Sequence, residues 1–112
     1  MEDCIFCDII KGKIPSEIVY DDKDFVAFKD IHPLAPVHIL IVPKEHIASI
    51  NELEEKHIKM AGNLLFLAKK IAQKEGISEG YKLAFNTGRK GGQLVDHLHL
   101  HLMGGWRDEE VK

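Results

Sequence analysis

Residues 97–102 read His-Leu-His-Leu-His-Leu, a strict alternation of imidazole and leucine side chains. An alternation with a period of two is typical of a β-strand, in which successive side chains point to opposite faces of the sheet. The pattern predicts a strand over 94–103 that buries its leucines and carries His97, His99 and His101 on the other face, roughly 6.5–7 Å apart along the strand. Because neutral imidazole is a nucleophile, a base and a metal ligand, we expect the histidine face to line a functional site.

The length and charge of the chain are those of a small globular protein. We expect one domain over 1–112, with a core at about 3–105 and a short polar tail at 106–112. The net charge of −3 argues against a nucleic-acid partner. No apolar stretch is long enough to span a membrane, and the N-terminus lacks the basic region and cleavage site of a secretion signal. We therefore expect a cytoplasmic protein with no membrane partner.

The rest of the sequence predicts several strands and one long helix. Strands are expected at 17–20, 25–29, 38–42 and 81–86, with a short helical turn at 7–11 and a Gly-rich turn at 87–93. Between 51 and 75 the apolar period changes to 3.6, and the apolar stripe consists of Ile58, Ala61, Leu64, Leu65, Ala68, Ile71 and Ala72. Since strands and helix segregate along the chain, this order favours an α+β fold with an antiparallel sheet.

The histidine run allows two chemical interpretations. In one, two or three of its imidazoles bind a catalytic metal ion, a site that usually also needs a carboxylate. Asp96 would fall on the opposite face of a regular strand. In the other interpretation, one imidazole attacks an electrophile while its neighbours orient it and move protons. The residues alone leave both interpretations open.

Cys4 and Cys7 form a C-x-x-C pair near the N-terminus. Such a pair is typical of half a tetrahedral zinc site, of a redox pair, or of two small buried side chains. Because the chain has no second C-x-x-C, the remaining ligands of a zinc ion would have to be histidines.

The sequence resembles the histidine triad superfamily, in the branch of Hint-type purine nucleoside phosphoramidases. The family motif alternates three histidines with apolar residues, and residues 97–103 match it completely. Further matching segments lie upstream, at 28–31, Pro33, 35–38, 43–46 and 91–93. The resemblance implies a five-stranded antiparallel sheet with one long helix and a short N-terminal helix. It also implies a homodimer in which the two sheets join into one.

The resemblance implies a reaction as well, the cleavage of the P–N or acyl-phosphate bond of an adenosine or guanosine 5′-monophosphate derivative. His99 would be the nucleophile and would form a nucleotidyl-histidine that water resolves. His101 would bind the phosphate oxygens or give a proton to the leaving amine, and His97 and His38 would support the proton relay. The expected nucleotide-binding residues are Asp30 at the ribose, Phe28 and Ile31 at the base, and Asn86, Gly92, Gln93, His99 and His101 near the phosphate.

A structural zinc ion is the expected cofactor, with no organic cofactor. The cysteines resemble those of the related uridylyltransferase branch, in which two cysteines and two histidines bind zinc. The matching residues here are Cys4, Cys7, His46 and His97.

Leu94 departs from the family pattern, because many relatives carry serine or threonine there. Leucine cannot donate a hydrogen bond to a phosphate or a leaving group. Leu94 therefore keeps open a purine-nucleotide-binding dimer with little catalysis as an alternative to the phosphoramidase. Within the superfamily, the resemblance also leaves open a hydrolase of the diadenosine polyphosphate type.

Overall fold

Five antiparallel strands form one sheet in the computed structural model of the protein, which describes residues 4–110. The strands are β1 Ile18–Asp21, β2 Phe25–Lys29, β3 Val37–Pro43, β4 Tyr81–Ala84 and β5 Leu100–Gly104. Their spatial order is β1-β2-β3-β5-β4, so β1 and β4 are the edges. The predicted α+β class and five-stranded sheet are confirmed. Residue 3 of the predicted core and residues 111–112 of the predicted tail lie outside the described residues.

The two helices cover opposite faces of the sheet. Helix α2, Ile58–Lys74, packs on the face that includes Leu100 and Leu102. Helix α1, Ile5–Ile10, packs on the other face, together with Phe28 and Leu40. Alternation along the strands separates the two cores, because successive side chains point to opposite sides.

Strand β5 is shorter than predicted, and the predicted start at residue 94 is wrong. Its ladder with β3 begins at the pair Ile41 and Leu100. Continuing this register would place Leu98 opposite Pro43, whose nitrogen has no hydrogen to donate to a ladder. The N–H of Leu98 instead donates to the carbonyl of Ile47 at 2.6 Å. The ladder therefore includes only the last histidine of the run.

The predicted burial of the leucines is confirmed. Leu98, Leu100 and Leu102 are all at most 4% exposed. The histidines consequently lie on the α1 side of the sheet, where the N-terminal helix meets them.

The long helix starts later than the predicted 51–75, because local side-chain bonds break its first part into two single 3₁₀ turns, Ile50–Glu52 and Glu55–His57. The Ser49 hydroxyl accepts from the N–H of Asn51 and caps the first turn. The His57 ring accepts from the N–H of Glu54 at 2.9 Å and stabilises the second 3₁₀ turn.

Within the described residues, no helix combines the length and the apolar character that a membrane crossing requires.

The buried face of α2 differs from the predicted stripe. It consists of Leu64, Leu67, Ala68, Ile71 and Ala72. Ile58 and Leu65 were predicted to be buried but are 69% and 49% exposed. These two side chains lie seven residues apart, on the flank of the helix that turns away from the sheet. With Phe66, which is 61% exposed, they form an apolar helix surface.

Candidate active site and cysteine–histidine cluster

Three histidines and one carboxylate meet at the centre of the α1 side of the sheet. We call Asp30, His38, His99 and His101 the histidine cluster. Nε2 of His38 lies 3.0 Å from Nδ1 of His101 on the neighbouring strand. The ring centroids of His99 and His101 are 5.0 Å apart, closer than the predicted 6.5–7 Å. A carboxylate oxygen of Asp30 is 3.5 Å from Nε2 of His38.

Hydrogen bonds define which nitrogen carries the proton along this cluster. The backbone N–H of Leu34 donates to Nδ1 of His38 at 2.9 Å, so the proton of a neutral His38 is on Nε2. That N–H points at Nδ1 of His101, which then acts as acceptor. The proton of a neutral His101 is therefore on Nε2, the nitrogen that is left free for a substrate.

His99 is oriented by the backbone two residues earlier. Its Nδ1 donates to the carbonyl oxygen of His97 at 2.7 Å. Because a neutral imidazole carries one proton, Nε2 of His99 has an unshared electron pair. Phe6 packs edge-on against the same ring, with centroids 5.1 Å apart. His99 is thus oriented by its neighbours, with Nε2 unprotonated.

Burial keeps these imidazoles neutral. It lowers the pKa of His38 and of His99 below the ordinary value. It also lowers the pKa of His101 to about 4, and the charges of His99 and His38 act in the same direction. Desolvation disfavours the charged form of a base, so the free protein holds neutral rings at pH 7.

His97 points away from the histidine cluster, so the expectation that all three imidazoles of the run share one site is wrong. Its fully buried ring lies among Cys4, Cys7 and His46, which we call the cysteine–histidine cluster. Nδ1 of His97 lies 3.4 Å from the sulfur of Cys4 and 3.6 Å from that of Cys7. Nδ1 of His46 lies 3.3 Å from the sulfur of Cys7. The single metal site built from the whole histidine run is therefore not supported.

The cysteine–histidine cluster has the donor set of a structural zinc site. All four ligand atoms lie within 4.8 Å of one another. Nε2 of His97 donates to the carbonyl oxygen of Pro43 at 2.8 Å, which leaves the lone pair of Nδ1 facing the two thiols. Such a bond from the other ring nitrogen is the usual support that orients a metal-binding histidine. The cluster therefore fits a tetrahedral Cys2His2 site.

The residues expected at the nucleoside lie around the β2–β3 connection. Asp30 has two contacts, since its second carboxylate oxygen accepts from the N–H of His32 at 2.8 Å. Phe28 is 3% exposed and packs on Phe6 with centroids 5.4 Å apart, while Ile31 is 80% exposed. Of these two apolar side chains, Ile31 is therefore the one with an open surface.

The residues expected near the phosphate lie on a tightly bonded loop. Asn86 donates to the carbonyl of Gly91 at 2.9 Å. Gly92 has φ +89°, and a Cβ on it would lie 3.3 Å from the Asn86 amide nitrogen. Glycine at this position therefore permits both the backbone turn and the close approach of Asn86.

Gln93 braces this loop from within. It is 2% exposed, and its side-chain oxygen accepts from the N–H of Gly88. Its side-chain nitrogen donates to the carbonyls of Ala48 and Val95 at 2.7 and 2.9 Å. All of these side-chain bonds are internal, so the side chain joins the loop to the segment that follows β3.

Replacing Gln93 with glutamate should destabilise the protein by about 2–3 kcal/mol. The carbonyls of Ala48 and Val95 would lose their hydrogen-bond donor and would face a carboxylate oxygen instead. The measurement is the free energy of unfolding in urea. Gln73→Glu, at an exposed position of α2, is the matched control and should change it by less than about 0.5 kcal/mol. Equal small effects of the two variants would contradict the bracing role.

Arg89 and Asp96 form an ion pair that the sequence did not indicate. The guanidinium donates to both carboxylate oxygens at 2.8 and 3.1 Å, and to the carbonyl of Gln93 at 2.6 Å. Arg89 therefore holds the loop together through these bonds. Asp96 closes the loop instead of supporting a metal.

Two contributors to the site were missed in the sequence. Phe6 touches the rings of both His97 and His99, and its position inside the C-x-x-C turn was the available signal. His57 is buried and its Nε2 donates to Glu45 at 3.1 Å, next to His46. That bond ties α2 to the segment carrying one of the cluster histidines.

Comparisons with known proteins agree with this geometry. A family model described as "Scavenger mRNA decapping enzyme C-term binding" matches residues 3–110. The purine nucleoside phosphoramidase of Escherichia coli is 50% identical over 105 residues, which are 93% of this chain and 88% of that protein. The 14 kDa zinc-binding protein of Zea mays is 48% identical, over 90% and 80% of the two chains. The solved HIT family hydrolase from Clostridium thermocellum is 48% identical, with a TM-score of 0.93 over 100% and 97%.

Proposed function

This chain belongs to the histidine triad (HIT) family and is a hydrolase of that family, and on this premise we propose that it is a nucleotide phosphoramidase. The proposed substrates are adenosine or guanosine 5′-monophosphate derivatives whose α-phosphorus carries an amine or acyl leaving group. His99 is the proposed nucleophile. Support comes from the relative in Escherichia coli, whose name gives that activity.

One observation carries this proposal. The bond from Nδ1 of His99 to the carbonyl of His97, 2.7 Å long, leaves the electron pair on Nε2. A nucleophilic imidazole needs an unprotonated nitrogen of fixed direction. In the free protein the neighbours His38 and His101 are neutral, and the Nε2–H of His101 is free to meet a substrate.

In the proposed first step, Nε2 of His99 attacks the α-phosphorus and the bond from phosphorus to the leaving nitrogen breaks. Binding of the anionic phosphate favours the protonated form of His101, which gives its Nε2 proton to the leaving amine and becomes neutral. In the second step, water attacks the phosphorus, its proton returns to His101 and the bond to His99 breaks. The products are the free amine and the nucleoside monophosphate. His38 orients His101 through their 3.0 Å contact.

The surrounding residues are assigned to nucleotide binding within the same proposal. The carboxylate of Asp30 accepts from the ribose hydroxyls, and Ile31 and Phe28 bound the base. Asn86, Gly92 and Gln93 shape the loop beside the phosphate. We also propose a cytoplasmic location, since the free thiols of Cys4 and Cys7 fit a reducing compartment.

The test is turnover of adenosine 5′-phosphoramidate, with AMP and ammonia measured together. Equal amounts of the two products are the expected result. Diadenosine tetraphosphate, supplied in parallel, should be cleaved far more slowly. The reverse preference would favour the diadenosine polyphosphate type of hydrolase.

A purine-nucleotide-binding dimer with little catalysis is the second candidate. Leu94 favours it, because this side chain is 82% exposed and has no hydroxyl where many relatives do. AMP binding without product formation from either substrate would select this candidate over the phosphoramidase.

We also propose that the cysteine–histidine cluster holds a structural zinc ion. Cys4, Cys7, His46 and His97 would be its ligands, and the ion would supply cross-linking of α1 to the sheet. The name of the Zea mays relative supports zinc binding in the family. Because His97 also supplies the carbonyl that orients His99, the ligands would brace the nucleophile.

A homodimer with one continuous sheet is the proposed assembly. Among residues 4–110, no strand pairs with the outer edge of β4, whose Leu83 is 39% exposed. The apolar helix surface of Ile58, Leu65 and Phe66 is a second unburied patch. A second copy that pairs its β4 with this one would satisfy the open backbone groups.

Leu83→Lys should weaken this dimer by at least about 2 kcal/mol, roughly thirtyfold in the dissociation constant, because a charge would enter the joined edge. Light scattering should show twice the 12.7 kDa of one chain for the wild type and a shift toward one chain for the variant. The matched control is Ile18→Lys on the opposite edge strand, where Ile18 is 44% exposed. Dissociation caused equally by the control would point to the β1 edge instead.

A further inference from the structure

The carboxylate of Asp30 is fixed beside the two imidazoles that share a hydrogen bond. One of its oxygens, Oδ2, lies 3.5 Å from Nε2 of His38. The other, Oδ1, accepts from the N–H of His32 at 2.8 Å, and the N–H of Asp30 donates to the carbonyl of His38 at 3.0 Å. One side-chain nitrogen or oxygen from each of Asp30, His38 and His101 lies within 4.8 Å of the other two. Asp30 therefore belongs to the same group of interacting side chains as His101.

Protonation of His101 creates a conflict in this group. In the neutral pair, the Nε2–H of His38 points at the unprotonated Nδ1 of His101 across 3.0 Å. A protonated imidazole carries a hydrogen on both nitrogens, so two N–H groups would then face each other across that gap. The hydrogen of His38 has no alternative position on its own ring, because Nδ1 already accepts from the N–H of Leu34. Protonated His101 therefore requires another acceptor for the N–H of His38.

Oδ2 of Asp30 is placed to be that acceptor. Its separation of 3.5 Å from Nε2 of His38 is too long for a strong hydrogen bond, and a small rotation of either side chain would close it. A carboxylate offers about four acceptor positions, so this bond leaves room for the N–H of His32 and for ribose hydroxyls. The side chain of Asp30 is 19% exposed and that of His38 is 1% exposed. The bond would thus form where little water competes and where a charge-assisted hydrogen bond is strong.

The charge of Asp30 favours the same protonated state. Burial is the main cause that lowers the pKa of His101 to about 4, and the charges of His99 and His38 act in the same direction. The carboxylate of Asp30 acts in the opposite direction. The titratable or charged groups around His101 on this side of the sheet are Asp30, His38, His99 and, one pair further along β4, Lys82. Of these groups, only Asp30 is negative.

We propose that Asp30 is a positioning residue for protonation of the leaving amine, whose Oδ2 accepts the N–H of His38 when His101 carries a second proton. This inference rests on the proposed function, because it concerns the proton that the leaving amine of that reaction takes up. As Nε2 of His99 bonds to the phosphorus, the electron pair of the P–N bond passes to the leaving nitrogen, which takes the Nε2 proton of His101. The Nδ1 hydrogen stays on His101, and Asp30 remains a carboxylate. Ribose binding and amine protonation would thus use the same side chain.

The experiment compares two AMP derivatives that differ in their need for this proton. The ethylamidate of AMP releases an amine, whereas the 4-nitrophenyl ester of AMP releases a phenolate that leaves without a proton. Both present the same nucleoside, so a loss of ribose binding affects them equally. Release of the leaving group in a single turnover isolates the first step. We expect Asp30→Asn to slow the amidate by at least about tenfold more than the ester. The asparagine oxygen can still accept from the N–H of His32, so the turn is kept.

A pH profile separates this role from a purely structural one. For the wild type, the first-step rate on the amidate should fall at high pH as His101 loses its second proton, and the ester should respond less. Because a nearby carboxylate favours the charged imidazole, Asp30→Asn should move this fall to lower pH. Asp24→Asn, which removes the same charge at an exposed turn, is the matched control and should change neither the ratio nor the profile.

Two results would overturn the proposal. One is an equal loss for the amidate and the ester in Asp30→Asn, and the other is an unshifted pH profile. Absence of reaction between the wild type and either compound would instead refute the phosphoramidase. The His101 ring can then still be titrated by NMR in the complex with AMP, where Asp30→Asn should lower its pKa. An unchanged pKa of His101 in that titration would also overturn the positioning role.

Discussion

His99→Asn should lower kcat/KM for adenosine 5′-phosphoramidate by at least about 10⁴-fold, while AMP still binds. The asparagine amide fills a similar volume and retains polar atoms, but it has no nitrogen electron pair that attacks phosphorus. The decisive measurement is mass spectrometry of the intact protein during turnover, quenched under alkaline denaturing conditions. The wild type should gain one AMP transiently, and the variant should gain none.

Two further measurements make this result specific. His32→Asn is the matched control, because His32 is exposed and its side chain belongs to neither cluster, so turnover and adduct should persist. Titration of AMP into His99→Asn shows that the pocket is intact. If His99→Asn forms as much AMP adduct as the wild type, the nucleophile is a residue other than His99. Turnover without any adduct in the wild type would favour direct attack by water.

Removing zinc from the cysteine–histidine cluster should lower the free energy of unfolding by about 4 kcal/mol. The reference is the protein with free zinc at a thousand times the dissociation constant of the site. This corresponds to a melting temperature at least about 10 °C lower for a domain of this size. The loss arises because the ion would link Cys4 and Cys7 of the N-terminal segment to His46, which follows β3, and His97, which precedes β5. Calorimetry with and without a chelator measures it, alongside metal analysis of the purified protein.

Cys4→Ser is the variant matched to this experiment. The Cys4 sulfur accepts from the N–H of Cys7 and caps α1, and a serine hydroxyl keeps that cap while binding zinc poorly. Chelation should therefore lower the melting temperature of the wild type and leave that of Cys4→Ser unchanged. Turnover well below the melting temperature should continue without the metal. Its reversible loss in a folded, chelated protein would restore the catalytic-metal interpretation.

Much of the fold followed from local patterns. The alternation of 97–102 identified the buried leucines, and the β-type segments at 25–29 and 38–42 became β2 and β3 with small changes of boundary. The change to a 3.6-residue period located α2, although residues 51–57, predicted as its first turns, lie outside the α-helix. Those turns depend on side-chain bonds of Ser49 and His57, which compete locally with the helix and leave no trace in the apolar period.

The candidate site was only partly predictable. The motif at 97–103 pointed to His99 and His101, and the C-x-x-C pair pointed to two metal ligands. The division of the three histidines between two clusters did not follow from the alternation. It depends on Pro43, which lies far away in sequence, ends the ladder opposite Leu98 and accepts from the His97 ring through its carbonyl.

The sequence by itself determined which residues the site contains. It indicated which side chains can attack a phosphorus, bind a metal or accept a hydrogen bond from a ribose, and it separated the leucines from the histidines on the two sides of the strand. Tertiary structure alone decided the direction of each ring. The proton positions on His38, His99 and His101 depend on bonds to Leu34, to the carbonyl of His97 and to one another. Those bonds join segments that lie far apart in the chain or follow an irregular backbone, and side-chain periodicity carries no information about them.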